Sequence, residues 1–486
     1  MRRRWLFGDQ LGPHFLDPDQ PALILESTQV LRRRPFHRQK AHLVLSAMRH
    51  RAAELGKRCD YRRVETYDAG LTDVADGLDV VQPTSWSALH FVDRLAAVRD
   101  LERLPARGFA TSRADFTTWA DARGGKRLLM EDFYRDARLR HGVLVEGGQP
   151  VGGRWNFDAE NREPPPKTAT LEVDDPHWPD EDDIDAEVRA DLDALAAAGV
   201  RFVGADGPRL FAATRSEALA ALDTFITHRL PTFGRYEDAM LSADRWMAHS
   251  LLSAPLNLGL LDPLEVVHAA EEAHAAGAAP IQAVEGFVRQ VMGWRDYMWH
   301  LYWYLGEDYR SRNELRAEGE LPTWWTELDP DGTDAACLKS TLTAVRDHGW
   351  THHIPRLMVL GNYALQHGWD PARLTDWFHR SFVDGYDWVM VPNVVGMSQH
   401  ADGGVLATKP YVSGGNYINK MSDYCGGCVF DPGVRVGPTA CPFAAGYWRF
   451  LHRHRERFAA NFRMRQALRG LDRLSDLDEL LAEPGG

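Results

Sequence analysis

Trp5-Leu6-Phe7-Gly8-Asp9-Gln10-Leu11 opens the chain with a short apolar run that ends in a turn carrying a glycine and an acid. Three bulky apolar residues followed by such a turn read as a buried strand leaving a core. Runs of the same kind recur at Ala22-Leu23-Ile24-Leu25, Tyr61 to Val64 and Leu89-His90-Phe91-Val92, while Lys40 to Leu55 and Val92 to Leu104 have helical spacing. This βαβ order predicts a parallel sheet with helices on its faces over residues 1–145. Ligands of such sheets lie beyond the carboxyl ends of the strands. Asp9, Gln10 and Glu26 are therefore candidate ligand contacts, against the alternative of an ordinary turn and helix cap.

The periodicity lapses after that. From Gly147 to Lys167 the chain runs through Gly152-Gly153-Arg154-Trp155-Asn156-Phe157-Asp158, Asn161-Arg162 and Pro164-Pro165-Pro166, then enters an acidic stretch from Glu172 to Asp193. Residues 146–215 read as a long interdomain connection whose acidic part is solvated surface. Residues 216–486 are helical almost throughout, with apolar positions three and four apart in Ala218 to Leu230, Ile281 to Tyr304, Leu357 to Gln366 and Arg449 to Leu468. The tryptophans there, Trp246, Trp294, Trp299, Trp303, Trp377 and Trp388, are expected in the core.

The composition is that of a soluble globular protein, with 44% hydrophobic and 26% charged residues in 486. No apolar run is long enough for a membrane span, and the expectation is a cytoplasmic protein. A net charge of −13 argues against a broad nucleic-acid coat but leaves room for a local basic face; residues 449–473 carry a run of arginines.

Three of the five cysteines fall together, in Cys425-Gly426-Gly427-Cys428 and Cys441-Pro442. Two thiolates three residues apart can grip one metal or one cluster corner, and a fourth ligand must come from elsewhere. Cys337 is the better candidate, since Cys59 lies beside an expected strand. The Cys-Pro pair favours iron–sulfur over zinc, with a redox CxxC as the remaining alternative.

Three further stretches carry chemistry. His249-Ser250-Leu251-Leu252-Ser253, before Pro255-Leu256-Asn257, offers hydroxyls and free N–H groups to a phosphate. Glu285, Arg289 and Asp296 recur at roughly helical intervals, as a surface ion-pair ladder or a charged pocket wall. Trp350-Thr351-His352-His353-Ile354-Pro355-Arg356 sets two imidazoles, natural proton donors near neutral pH, just before a proline.

In their order and wording these stretches, with Phe233-Gly234-Arg235-Tyr236-Glu237-Asp238-Ala239-Met240, resemble the cryptochrome/photolyase family, in its iron–sulfur bacterial branch that includes prokaryotic (6-4) photolyases. The resemblance covers nearly the whole chain. It implies a Rossmann-like antenna domain followed by an all-α FAD-binding domain, with a [4Fe–4S] cluster on Cys337, Cys425, Cys428 and Cys441 and a 6,7-dimethyl-8-ribityllumazine antenna held by Asp9, Gln10 and Glu26. It assigns FAD to Tyr236, Ser250, Leu251, Leu252, Ser253, Glu285, Arg289, Asp387 and Asn393, with Asn393 near the flavin N5. His352 and His353 match the lesion-pocket histidines, and Tyr411 stands beside the lesion. The implied activity is that of a monomeric lyase repairing (6-4) photoproducts in UV-damaged DNA, with Arg154, Arg162, Arg295 and Arg356 on phosphates. Trp377, Tyr386, Trp388 and Tyr417 are candidates for refilling an oxidised flavin. A blue-light sensor of the same branch is the alternative, and a zinc-fastened nucleic-acid-binding protein without photochemistry is the alternative from another class.

Overall fold

A computed structural model describes residues 2–483. Five parallel strands, β1 (Arg3–Leu6), β2 (Ala22–Ser27), β3 (Cys59–Val64), β4 (Leu78–Val81) and β5 (Leu101–Leu104), form one sheet in the order β3-β2-β1-β4-β5. The central strands are buried on both faces, with Trp5, Leu6, Leu23, Ile24, Val80 and Val81 fully shielded, as the apolar runs require. The winding reverses beside β1, and such a switch point leaves a crevice at the carboxyl ends of the strands. Gly8, Asp9 and Gln10 lie at that end of β1.

Two of the expected elements are corrected. Leu89-His90-Phe91-Val92 is not a strand; it lies inside helix Trp86–Ala96, capped by Ser85, whose side chain accepts from the Ala88 N–H. The helix expected over Val92 to Leu104 stops early, and Leu101–Leu104 pairs with Leu78–Val81 as the edge strand β5. A Leu-Glu-Arg-Leu run has the same apolar spacing on a helix as at a half-exposed sheet edge, so pairing rather than pattern decides it.

The acidic stretch is also more than solvated surface. It forms helix Asp183–Ala197, started by a capping box between Asp182 and Asp185. Asp185 is fully buried and accepts from Arg209 Nε at 2.9 Å, and the helix lies against the long helix Arg38–Leu55 of the sheet domain.

The remainder is helical. Ile281 to Tyr304 is continuous, as Ile281–Val288, a π-helical turn Arg289–Arg295 and Asp296–Tyr304, and further π turns occupy Phe225–Arg229, Pro355–Gly361 and Pro392–Ser398. Arg449 to Leu468 is instead broken into Pro442–Arg453, Arg455–Phe458, the short turn Phe462–Met464 and Arg465–Leu471. The two parts dock tightly beside the switch point, where the Leu11 N–H donates to the Leu258 carbonyl at 3.0 Å. A Cβ added at Gly12 would stand 1.9 Å from the Gly259 carbonyl oxygen, so only glycine allows this backbone approach.

Candidate active site and cysteine centre

Three segments converge within the helical part. Arg356, at the start of a π turn, donates from Nε to the Thr351 carbonyl at 2.6 Å and makes a two-bond ion pair with Asp384, at 2.8 and 3.0 Å. Asp384 in turn accepts from Ser253 Oγ at 2.7 Å, and its carbonyl accepts from Asn257 Nδ2 at 3.0 Å. Asp384 thereby ties the Ser250–Ser253 turn to the histidine turn. His249 and His352 stack with ring centroids 4.2 Å apart. Leu251 holds a φ of +57°, a left-handed conformation costing a β-carbon residue roughly 1 kcal/mol or more. His249 Nε2, His352 Nδ1 and Asn257 Oδ1 are buried with no partner among the described residues. Buried polar atoms ordinarily find partners, and a strained turn facing several unpartnered ones is suited to a polar ligand.

Burial first, then neighbouring positive charge, drives these imidazoles toward the neutral form. His249 is pushed down to about 3, His353 to about 4, and His352 well below the ordinary range. His353 nonetheless keeps an exposed side chain, which fits a ring facing an opening recessed in the protein rather than its outer surface.

Not every residue read from the sequence joins this group. Asp387 lies three positions beyond Asp384 but is committed elsewhere, to His379 Nδ1 at 2.7 Å and Arg310 at 3.0 Å, which hold its carboxyl far below the usual range. Asn393 donates from Nδ2 to the Val389 carbonyl at 2.8 Å within its own helix. Glu285 and Arg289 form a buried pair that faces Phe157 and Asp158: Glu285 accepts the Phe157 N–H at 2.9 Å, and Arg289 meets Asp158 at 3.0 Å. The surface-ladder alternative fails for Asp296 as well, which is buried and accepts the Ala110 and Thr111 N–H groups. Tyr236 stacks under the Arg235 guanidinium, 5.1 Å away. Tyr411 is exposed, and the charges of Arg162, Asp158 and Arg463 reach its phenol.

Arg154 and Arg162 lie on the surface, paired with Glu160 and Asp158. Arg295 and Arg356 do not serve an outer face. Arg295 is wedged between Phe109 and Trp388, 4.6 and 5.2 Å from their rings, and burial lowers it to about 10. The aromatic candidates separate into different clusters. Trp377 packs on Trp325 at 5.0 Å, and Trp325 leads on to Tyr363 and Trp369. Trp388 contacts Trp299 at 5.8 Å, which leads to Trp303 and Trp86. Tyr386 stands under Lys40 Nζ at 5.3 Å, and Tyr417 is half-buried near Asp238.

At the sheet end, Asp9 accepts from Thr84 and is raised by burial, while Gln10 donates to the Val81 carbonyl at 3.2 Å. Gln10 Oε1 and Gln82 Nε2 are left without partners among the described residues. Glu26 is saturated by Arg49, at 2.8 and 3.0 Å, and by the Tyr61 hydroxyl.

Cys337, Cys425, Cys428 and Cys441 line one cavity. Cys337 stands in the first turn of helix Ala336–His348 and Cys441 caps helix Pro442–Arg453, so the cavity wall joins segments about a hundred residues apart. Gly415 completes the wall, since a Cβ there would meet Cys441 Sγ at 2.8 Å. Burial and the mutual proximity of the sulfurs raise Cys337 well above the ordinary thiol range and Cys425 to about 11. Cys59 lies apart, on β3. A tetrahedral zinc with Zn–S bonds of about 2.3 Å draws its sulfurs to within about 3.8 Å of each other. Among the described residues, the trio of donor atoms within 4.8 Å of one another is His50, Asp182 and Asp185, and no three of the cysteine sulfurs meet that limit.

Over 97% of its length the chain is 41% identical to a (6-4) photolyase of Agrobacterium fabrum, and the alignment takes in 95% of that protein. The chain belongs to the photolyase family. Residues 4–200 also match the family described as deoxyribodipyrimidine photo-lyase-related protein. Among solved structures, a bacterial class III photolyase from Agrobacterium tumefaciens superposes with a TM-score of 0.55 at 15% identity, covering 82% of this chain and 79% of that one. A Synechocystis cryptochrome gives 0.56 at 14% identity, with 82% of each chain covered. These two likenesses establish the fold, and membership in the photolyase family implies FAD as cofactor and DNA as substrate. No helix among the described residues is long and apolar enough to cross a membrane.

Proposed function

We propose that this photolyase reverses (6-4) pyrimidine–pyrimidone photoproducts in DNA by light-driven electron transfer, with His353 handling the proton. The observation that carries the reading is the convergence of the Ser250–Ser253 turn, the Arg356–Asp384 pair and the His352–His353 turn on buried polar atoms that lack partners. Those atoms fit a cofactor rich in phosphate, hydroxyl and ring nitrogen groups. Ser250, Leu251, Leu252 and Ser253 would hold FAD through hydroxyls and N–H groups, and Asp384, rather than Asp387, is the acid beside it. Reduced FAD, when bound and excited, supplies the electron that weakens the bond between the two bases and takes it back after repair.

The protein's part is to flip the lesion into the recess and move a proton. His353 is neutral near pH 7 in the absence of DNA, since burial and the Arg356 charge hold it at about 4. A lesion brings phosphate charge beside the ring, and a nearby negative charge favours the imidazolium. His353 then donates to the group being transferred and recovers the proton afterwards, while His352, stacked on His249, fixes the turn. Damaged bases unstack at lower cost than intact ones, so flipping is itself selective.

Cys337, Cys425, Cys428 and Cys441 hold a [4Fe–4S] cluster in this proposal. Four thiols around one cavity, the ligand number that a [4Fe–4S] cluster needs, support it. The antenna, a ribityllumazine, belongs at the carboxyl end of the sheet, where the unpartnered Gln10 and Gln82 amide atoms support a polar ligand; Glu26, saturated by Arg49 and Tyr61, is left out. Illuminating the reduced protein with a (6-4)-containing oligonucleotide tests the reading: the lesion disappears only in the light.

A further inference from the structure

Asn461 caps the short turn Phe462–Met464 by accepting the Arg463 N–H, and its Nδ2 donates to the Thr408 carbonyl at 3.0 Å. That bond fastens the turn to the loop that leads to Tyr411. Met464 anchors it from below, buried at 3% exposure in a cluster with Phe450, Phe458 and Leu471. Held from both sides, the turn pushes Phe462 outward to 69% exposure, against 3% for its neighbour two residues on. Among the described residues Phe462 is the most exposed aromatic side chain.

Its surroundings differ from the rest of a chain with net charge −13. Arg463 stands 5.9 Å from the Phe462 ring, and its charge reaches the Tyr411 phenol. Nearby Arg455 and Arg457 are neutralised by Asp472 and Glu314, but Arg463, Arg465 and Arg469 are exposed and pair with no acid among the described residues. Unpaired arginines beside a projecting ring complement phosphates flanking a base stack.

We propose that Phe462 is a wedge for duplex DNA: its ring enters the base stack where the damaged pair of bases leaves it, while Arg463 and Arg465 hold the adjoining phosphates. This rests on the repair reading above. Filling the gap stabilises the flipped state of a duplex. A single strand has little stack to fill, so the wedge has little to do there.

The test uses the full-length holoprotein and one (6-4)-containing sequence, presented both as a single strand and as a duplex with 2-aminopurine opposite the lesion. Phe462→Ala is expected to raise KM for duplex repair about fivefold, the lower end of what one aromatic–base stack contributes. It should leave kcat and single-strand repair unchanged and abolish the rise in 2-aminopurine fluorescence on dark binding at saturating protein. Phe462→Trp should restore both duplex readouts. An unchanged duplex KM, or an equal loss on both formats, overturns the wedge. Wild-type protein that raises the dark fluorescence but repairs neither format would contradict the repair reading and leave the wedge standing as a binding device.

Discussion

Arg356 and Asp384 form a two-bond ion pair, 2.8 and 3.0 Å, directly after the turn that carries His352 and His353. Asp384 is 5% exposed; its carboxylate also accepts from Ser253 and its backbone carbonyl from Asn257, so this one residue sets the register between the cofactor turn and the histidine turn. Removing one partner of a buried pair strands the other. Asp384→Asn should cost about 3 kcal/mol of stability and lower the flavin-to-protein absorbance ratio. Asp387→Asn, which frees His379 and Arg310 instead, should leave that ratio near wild type.

The cysteine cavity makes a compositional prediction. Wild-type protein prepared without air should contain about four irons and four acid-labile sulfides per chain. Cys337→Ser should lose the iron and much of the fold's stability, because the helix Ala336–His348 is then no longer fastened to the C-terminal segment. Cys59→Ser should change neither, and zinc in place of iron in the wild type would contradict the cluster.

Protonation gives a stability prediction of definite sign. His249 and His353 have folded-state values near 3 and 4, below the ordinary 6.5 of the unfolded chain. Their contribution to stability is fully present above pH 6.5 and is lost as pH falls through 4 for His353 and through 3 for His249, because the unfolded chain takes up protons that the folded one refuses. The thermal midpoint of the apoprotein should therefore drop steeply between pH 6.5 and 4, and less steeply in His249→Gln.

Gly12 tests the docking of the two parts. A methyl group there meets the Gly259 carbonyl at 1.9 Å, a backbone contact that no side-chain rotation relieves. Gly12→Ala should destabilise by roughly 3 kcal/mol, as overpacking against an immovable neighbour does, read as a lower denaturant midpoint.

Much of this was legible from residue types alone. Cys425, Cys428 and Cys441, the paired histidine turn and the Ser-Leu-Leu-Ser turn are local patterns, and local patterns single out residues without knowledge of the fold. What escaped depended on pairing across the chain. Asp384 and Asp387 are both acids on one short stretch, and only the positions of Arg356 and His379 decide which partner each takes. Glu26 looked like a free ligand at a strand end because nothing local announces Arg49, twenty-three residues on, closing over it. Leu101–Leu104 joins the sheet because β4 offers it a partner, a fact its own four residues do not contain. Phe462 sat in an arginine-rich helical pattern, and its projection became visible only once that pattern broke into short turns.

The proton role of His353 is the most exposed part of the chemistry. His353→Ala should abolish repair while FAD and iron content stay at wild-type levels, since the side chain is exposed rather than packed in the core. Repair by the wild type should slow as pH rises through the value of His353 in the DNA complex, because the donor is the imidazolium. A repair rate that is flat or rises over that range would remove His353 as the donor.

The most direct measurement is single-turnover repair: reduced holoprotein, one (6-4) lesion in a defined oligonucleotide, blue light, and the lesion counted by chromatography. Loss of the lesion with restoration of both pyrimidines, in the light only, is the predicted result. Full retention of the lesion under illumination, with flavin reduced and bound, would contradict repair and point to a light sensor built on the same fold.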